Sequence, residues 1–234
     1  MFFQALQYFK FLLHSRNQHG VHSPFVYRLV TQCLYAKLDA VSLASYRKIQ
    51  KESLSEKGTK GANYSFKKAS ILMQLCQYFK PKTVLEIGSF LGSSTSAIQI
   101  STTDASITTL EENAETAHIA KKIYIQQQYK HINFLEGDYS KTLPKVTQSQ
   151  SYDLISFGEQ NTQKEMIRSF ENCLSAIHND TVFVVNAIYQ SKEMIAVWEY
   201  IKAHPKVRVT VDVFECGIVF FRKEQEKEHF KIRV

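Results

Sequence analysis

Glu86, Gly88, Gly92, Glu111 and Asp138 are the residues whose types and spacing can do chemistry in this chain. Thr83-Val84-Leu85-Glu86-Ile87 reads as a strand buried on both faces, apolar and β-branched except for one carboxylate near its carboxyl end. A buried carboxylate is costly unless something pairs with it, and a cationic or amino-bearing ligand is one such partner. The strand breaks into Gly88-Ser89-Phe90-Leu91-Gly92-Ser93, and an apolar helical pattern through Ala97, Ile98 and Ile100 follows. Strand, glycine turn and helix together bring backbone N–H groups close to a nucleotide-like ligand. Glycine at 88 removes the Cβ that would block that approach. The spacing is E-x-G-x-x-x-G and not the dinucleotide fingerprint G-x-G-x-x-G, and a glycine turn after a buried strand also occurs as plain architecture.

Two further strand ends repeat the theme. Ile107 to Leu110 reads as a second strand that ends on Glu111-Glu112, ahead of a helical run from Asn113 to about Gln128. An acidic residue closing the second strand of a Rossmann-like sheet faces a ribose and accepts hydrogen bonds from its hydroxyls, the role expected of Glu111. Glu112 is expected to favour the positive end of the next helix. A third strand, Ile132 to Glu136, closes on Gly137-Asp138, which by itself is ordinary turn chemistry.

These motifs, in this order, resemble class I S-adenosylmethionine (SAM) dependent methyltransferases from about residue 64 to 222, nearest the small-molecule O-methyltransferase branch. His19-Gly20-Val21-His22-Ser23-Pro24-Phe25 and the stretches 190–194 and 217–223 resemble a narrower bacterial group of such proteins, which extends the likeness over nearly the whole chain. The resemblance implies SAM as cofactor, held by Tyr64, Glu86, Gly88, Ser89, Gly92, Ser93, Glu111, Gly137 and Asp138, with Asp138 or its neighbouring backbone beside the adenine amine. It implies methyl transfer to an acceptor it does not identify, expected to be an oxygen of a small molecule.

Metal-dependent relatives hold magnesium with carboxylates at the ends of the fourth and fifth strands, and the ion lowers the pKa of the acceptor hydroxyl. Here Gly158 stands where relatives commonly have aspartate, followed by Glu159-Gln160-Asn161. The fifth strand runs into Asn186-Ala187-Ile188-Tyr189 where the group tends to show Asp-Asp-Ile-His. Hard cations want several charged oxygens, so no tight magnesium site is expected. His22, Glu159, Asn186 and Tyr189 remain as candidate catalytic residues, with His19 and Tyr64 as further groups to consider for proton removal. His22 is placed by its motif in a segment expected to cap the pocket. The missing acids favour a second reading, a degenerate methyltransferase that serves as a SAM-binding or interaction module. A nicotinamide-dependent oxidoreductase is a third, disfavoured by the absent third glycine.

The elements that must position these residues follow from the pattern. Residues 1–63 read as a helical N-terminal extension and 64–234 as the methyltransferase domain. Ser23-Pro24 is a helix start, and Lys80-Pro81 ends the helix that begins at Tyr64. Strands at 152–157 and 181–185 alternate with helices at 161–177 and 191–203. Strands 208–214 and 217–221 are joined by a link too short for a parallel crossover. The expected fold is α/β: a Rossmann-like, seven-stranded, mostly parallel sheet with an antiparallel last strand and helices on both faces. The alternating charges of 222–234 suggest a surface tail.

A chain of 234 residues with 44% hydrophobic and 22% charged content suits one sizeable core with an accessory segment. Cysteines 33, 76, 173 and 216 match no zinc or redox spacing and read as reduced thiols of a cytoplasmic protein. No apolar run reaches membrane-spanning length. Residues 2, 3, 6, 9, 12 and 13 fall on one helical face, expected to pack on the core or on a second subunit in a homo-oligomer. The net charge of +7 is spread along the chain without an arginine-rich tract, which argues for a solvated basic surface over specific nucleic-acid binding.

Overall fold

The computed structural model describes residues 2–57, 64–158 and 162–234. Five parallel strands form its centre: β1 (Thr83–Ile87), β2 (Ser106–Glu111), β3 (Ile132–Glu136), β4 (Leu154–Phe157) and β5 (Val182–Asn186). Beyond β5 lie β6 (Val209–Asp212) and β7 (Cys216–Phe220), with β7 antiparallel to both β5 and β6 as the short connection requires. The spatial order is β3-β2-β1-β4-β5-β7-β6-β8. The eighth strand, β8 (Glu228–Lys231), pairs in parallel with β6 and corrects the expectation of a surface tail. Ile232, just beyond it, is fully buried. The sign-alternating sequence that suggested solvent is the signature of an edge strand, where charges discourage pairing with another chain.

Helices cover both faces. On one lie α2 (Pro24–Arg28, continued by a π-wound segment Leu29–Leu34), α3 (Ala40–Lys57), α4 (Phe66–Phe79), α5 (Ser93–Ser101) and α6 (Ala114–Gln126). On the other lie α7 (Tyr139–Ser149), α8 (Gln163–Cys173) and α9 (Lys192–Ala203), together with the inner side of α1 (Phe2–His14). Strand residues alternate between the two cores: Val84, Leu154 and Val184 face the first, and Leu85, Ile155 and Val185 face the second. The N-terminal segment shares the first core, with Phe25 edge-on to Phe220 at 4.9 Å and Tyr46 fully buried.

Local chemistry sets the element ends. Ser65, in extended backbone, caps α4, so Tyr64 lies ahead of that helix. Thr162 and Glu165 form a reciprocal capping box on α8, which stops at Cys173 and is shorter than the expected 161–177. The helix after β3 continues past Pro144 to Ser149. Among the described residues no helix is long and apolar enough to cross a membrane.

Candidate active site

Strand order reverses between β1 and β4, since β2 and β3 extend to one side and β5 to the other. In open α/β sheets ligands bind outside the carboxyl ends of the strands at such a switch point. Gly88 and Gly158 meet there. The Gly158 N–H donates to Ile87 O at 2.7 Å, and the Gly88 N–H donates to Leu110 O at 2.8 Å. Gly88 has φ +87°, a conformation that L side chains rarely adopt, and a Cβ on it would lie 3.4 Å from the Tyr139 hydroxyl and 3.6 Å from Gly158 Cα. A Cβ on Gly158 would sit 2.8 Å from Gly88 O and 2.9 Å from Ile87 O.

The two acids flanking this turn differ in environment. Glu86 is fully buried, and burial pushes its pKa up. Its Oε2 accepts hydrogen bonds from the hydroxyls of Thr95 on α5 and of Thr109, the latter at 2.7 Å from the directly paired position on β2. The partner expected from a ligand is thus supplied in large part by the protein. Among the described residues, Glu86 Oε1 is buried without a hydrogen-bond partner. Glu111 ends β2 and is only 6% exposed. Its Oε2 accepts from Ser89 Oγ at 3.1 Å and its Oε1 from the Asn113 N–H at 3.2 Å, so the turn and the β2 end are tied together.

Glu111, Glu112, Asn113, Asp138, Tyr139 and Arg168 line a cleft of about 710 Å³ over these strand ends. Asp138 is exposed and caps α7 by accepting from the Ser140 N–H at 2.7 Å, and hydrogen bonding from the Ser140 side chain and then its N–H holds the carboxyl below the usual range. Gly137 supplies the turn, with φ +131° and its N–H on Glu111 O at 3.0 Å. Tyr139 and Arg168 escaped the sequence reading. Tyr139 directly follows the Gly-Asp turn, which was the available signal, whereas Arg168 comes from mid-helix α8 and left none.

Gly92 and Ser93 are placed differently from expectation. Gly92 has φ +77°, and a Cβ on it would meet the Tyr124 ring at 3.0 Å and Ala120 Cα at 3.3 Å. This glycine lets α6 pack against the turn, and Ser93 is buried at the start of α5. Tyr64 is buried with its ring 5.9 Å from that of Phe90 in the glycine turn. Its hydroxyl lies 3.4 Å from Asn186 Oδ1, while Asn186 Nδ2 donates to Phe157 O at 2.8 Å. Burial raises the Tyr64 pKa well above the ordinary value, which makes it a neutral donor and no base.

Two candidate catalytic residues lie elsewhere. His22 is exposed and lines a cavity with Lys202, Thr210 and His229 at the β6–β8 edge, so it does not cap the switch point. His19 is likewise exposed, beside Gln18. Tyr189 turns its hydroxyl to Asp212 Oδ2 at 2.5 Å and stacks on Phe214 at 5.0 Å between ring centroids. Its position follows from the backbone, since Ala187 has φ +58° and the chain swings away from the β5 axis there. Glu159 lies outside the described residues. At the ends of β4 and β5 the described residues, Gly158 and Asn186, offer no carboxylate and do not fit a magnesium site, and among the described residues no group of three or more His, Cys, Asp or Glu is placed to hold a metal.

A family model described as O-methyltransferase matches residues 42–223. Solved structures are similar in fold at low identity. The methyltransferase PaMTH1 of Podospora anserina, bound to SAH, shares 14% identity with a TM-score of 0.64, covering 87% of this chain and 97% of that one. The O-methyltransferase TomG of Streptomyces achromogenes, involved in tomaymycin synthesis and in complex with SAM, shares 16% with a TM-score of 0.63, covering 81% and 92%. An O-methyltransferase from Bacillus cereus in complex with SAH shares 17% with a TM-score of 0.61, covering 82% and 96%. No curated protein matches the chain in sequence.

Proposed function

Because the chain belongs to the O-methyltransferase family, we propose that it transfers the methyl group of SAM to an oxygen of a small-molecule acceptor. The observation that carries this reading is the glycine turn at the switch point, where Gly88 bears no Cβ at φ +87° between the strand ends that carry Glu86 and Glu111, and Gly158 packs closely on its carbonyl. The residues fit the cofactor: a cradle without Cβ atoms, a carboxylate at the β2 end, and an orphaned buried oxygen on Glu86.

When bound, SAM supplies a methyl group already made electrophilic by its sulfonium. Glu111 would hold the ribose through its hydroxyls, and the Gly137-Asp138 segment would border the adenine. Ser89 orients Glu111 through their hydrogen bond, and the Glu86–Thr95–Thr109 network stiffens the glycine turn that would hold the cofactor. The acceptor enters from the carboxyl ends of β4 and β5, where a cleft of about 970 Å³ is lined by Thr162, Lys164, Arg168, Gln190 and Met194. Tyr64 donates to Asn186 beside Phe90, on the other face of the sheet. The described residues contribute positioning, which converts an encounter into an in-line approach. Four buried free thiols support a reducing, cytoplasmic setting, and the His19–Phe25 motif supports a bacterial group.

Calorimetric titration with SAM and SAH tests the cofactor assignment. The parent protein is expected to bind both, and Glu111→Ala is expected to weaken binding by about 1–3 kcal/mol through lost charged hydrogen bonds. No heat from either compound at millimolar concentration refutes the proposal. Equal affinity of parent and variant refutes the ribose role.

A further inference from the structure

Two clefts over the carboxyl ends of the strands share Arg168. It lines the one that runs past Glu111 and Asp138, and also the one of about 970 Å³ between the starts of α8 and α9. Lys164 lines the second cleft one helical turn earlier, and residues four apart on a helix share a face with about 5–6 Å between them. The acids nearby are already engaged. Glu165 Oε2 accepts the Thr162 N–H at 3.0 Å in the capping box, and Asp138 caps α7. Glu193, the acid of the second cleft, is held by its own N–H and by the Ser191 hydroxyl, which lower its pKa at the start of α9. Among the described residues neither Lys164 nor Arg168 forms an ion pair with a carboxylate, and Arg168 is a minor influence on the Asp138 carboxyl. Two uncommitted cations thus share a cleft of ligand size with Ile167 and the buried Met194. They suit an organic anion whose apolar body lies on those two side chains, and arginine matches a carboxylate through parallel N–H groups.

The reacting centre asks for the same chemistry. A hydroxyl must lose its proton as it takes a methyl group, whereas a carboxylate is already anionic at neutral pH. Where β4 and β5 end, Gly158 has no side chain to accept a proton, and Asn186 donates to Phe157 O and faces the Tyr64 hydroxyl. Tyr64 and Tyr189 are held neutral, Tyr64 chiefly by burial and Tyr189 by burial and then the Asp212 carboxylate. His22 lies at the β6–β8 edge. Glu159, outside the described residues, is the candidate base that remains.

With SAM-dependent O-transfer as the premise, we infer that the acceptor is a carboxylic acid, that Arg168 and Lys164 bind its carboxylate, and that the product is a methyl ester. One carboxylate oxygen forms a bond to the methyl carbon as the carbon–sulfur bond breaks and its electron pair goes to sulfur. The negative charge of the acceptor and the positive charge of the sulfonium cancel, SAH leaves with a neutral sulfur, and no proton moves. A cleft that binds an anion and holds no base suffices for that reaction.

The test is transfer from methyl-labelled SAM to benzoate, cinnamate, para-hydroxybenzoate and the small-molecule fraction of a bacterial extract. Alkali releases a methyl ester as volatile labelled methanol and leaves a methyl ether intact. The expected result is label that alkali releases. Alkali-stable label, the product of a hydroxyl served by Glu159, overturns the inference and leaves O-transfer standing. So does the absence of transfer by protein that binds SAM in calorimetry. Absence of SAM binding refutes the transfer reaction and this inference together. Lys164→Gln and Arg168→Gln are each expected to raise the acceptor KM about tenfold with kcat little changed, and Lys164→Gln to keep the parental SAM affinity. Calorimetry of the SAH-saturated protein gives a readout apart from turnover. The parent is expected to bind at least one of the three carboxylates, and the double variant Lys164→Gln/Arg168→Gln to bind it at least about tenfold more weakly. Equal affinity of parent and double variant, or no carboxylate bound by the parent, overturns the role given to the two cations.

Discussion

Replacing Gly158 by alanine adds one methyl group at the point where β1 and β4 deliver their chain ends to the candidate site. The new Cβ would lie 2.8 Å from Gly88 O and 2.9 Å from Ile87 O, both backbone atoms, with Gly88 Cα at 3.3 Å. Carbon–oxygen contacts settle at about 3.3 Å or more, so each carbonyl must retreat by roughly half an ångström. Neither is free to do so: Ile87 O accepts the Gly158 N–H at 2.7 Å, and the Gly88 N–H is held by Leu110 O. Overpacking of this kind costs about 1–3 kcal/mol. The sign makes the test sharp. Where alanine fits the backbone without a clash, replacing glycine stabilises by about 0.4–1 kcal/mol through the unfolded state. Urea denaturation of parent and variant is therefore expected to show destabilisation. Calorimetry is expected to show SAM affinity reduced about tenfold, or about 1.4 kcal/mol, because the shifted carbonyls belong to the cradle itself. A variant as stable as the parent, or more stable, refutes the claim that this close approach fixes the turn.

Other outcomes follow from the buried acids. Glu86 has its pKa raised in the folded state, so its protonated form is favoured there, and its contribution to stability is full below the unfolded value near 4.5 and declines as pH rises toward the folded value. Stability of Glu86→Gln minus that of the parent is thus expected to grow with rising pH across that window and level off above it, as read by urea unfolding; a difference independent of pH would show that Glu86 is charged in the fold. Tyr189→Phe removes the hydroxyl on Asp212, which keeps the Phe214 N–H at 2.9 Å. Loss of a donor to a buried carboxyl is expected to cost about 1–3 kcal/mol in thermal or urea unfolding, and unchanged stability would mean that water replaces the tyrosine.

The strands and their end residues were legible because they are local facts. A β-branched run, a glycine turn and an acid at the strand end occupy a few consecutive positions, and β1, β2, β3 and β5 all fall within a residue of where the pattern put them. What escaped depends on which strand neighbours which. Thr109 satisfies Glu86 because β2 lies beside β1 in one register, and nothing around Thr109 in sequence announces it. Gly158 was read as a lost aspartate, a statement about what the residue lacks. The fold shows instead what a side chain there would strike, the carbonyls of Ile87 and Gly88 on the adjoining strand end.

The same distinction explains the two misplaced segments. Helix α1 carries aromatic or aliphatic residues on nearly every side, so periodicity gave it an apolar face without saying which side the body of the protein would take; Phe214, more than 200 positions away, decides that. Strand β8 alternates charge with apolar residues, and such a segment is solvent-exposed unless an edge is free to receive it. The free edge of β6 exists only because β7 folds back between β5 and β6. Since β7 is antiparallel there, β6 presents its outer side to the C-terminal segment, which closes over it and buries Ile232. The sheet's C-terminal edge and the outward face of α1 are therefore consequences of long-range order, as is Arg168 in the cleft, whereas the glycines and acids of the β1–β4 switch point each declare themselves at a strand end.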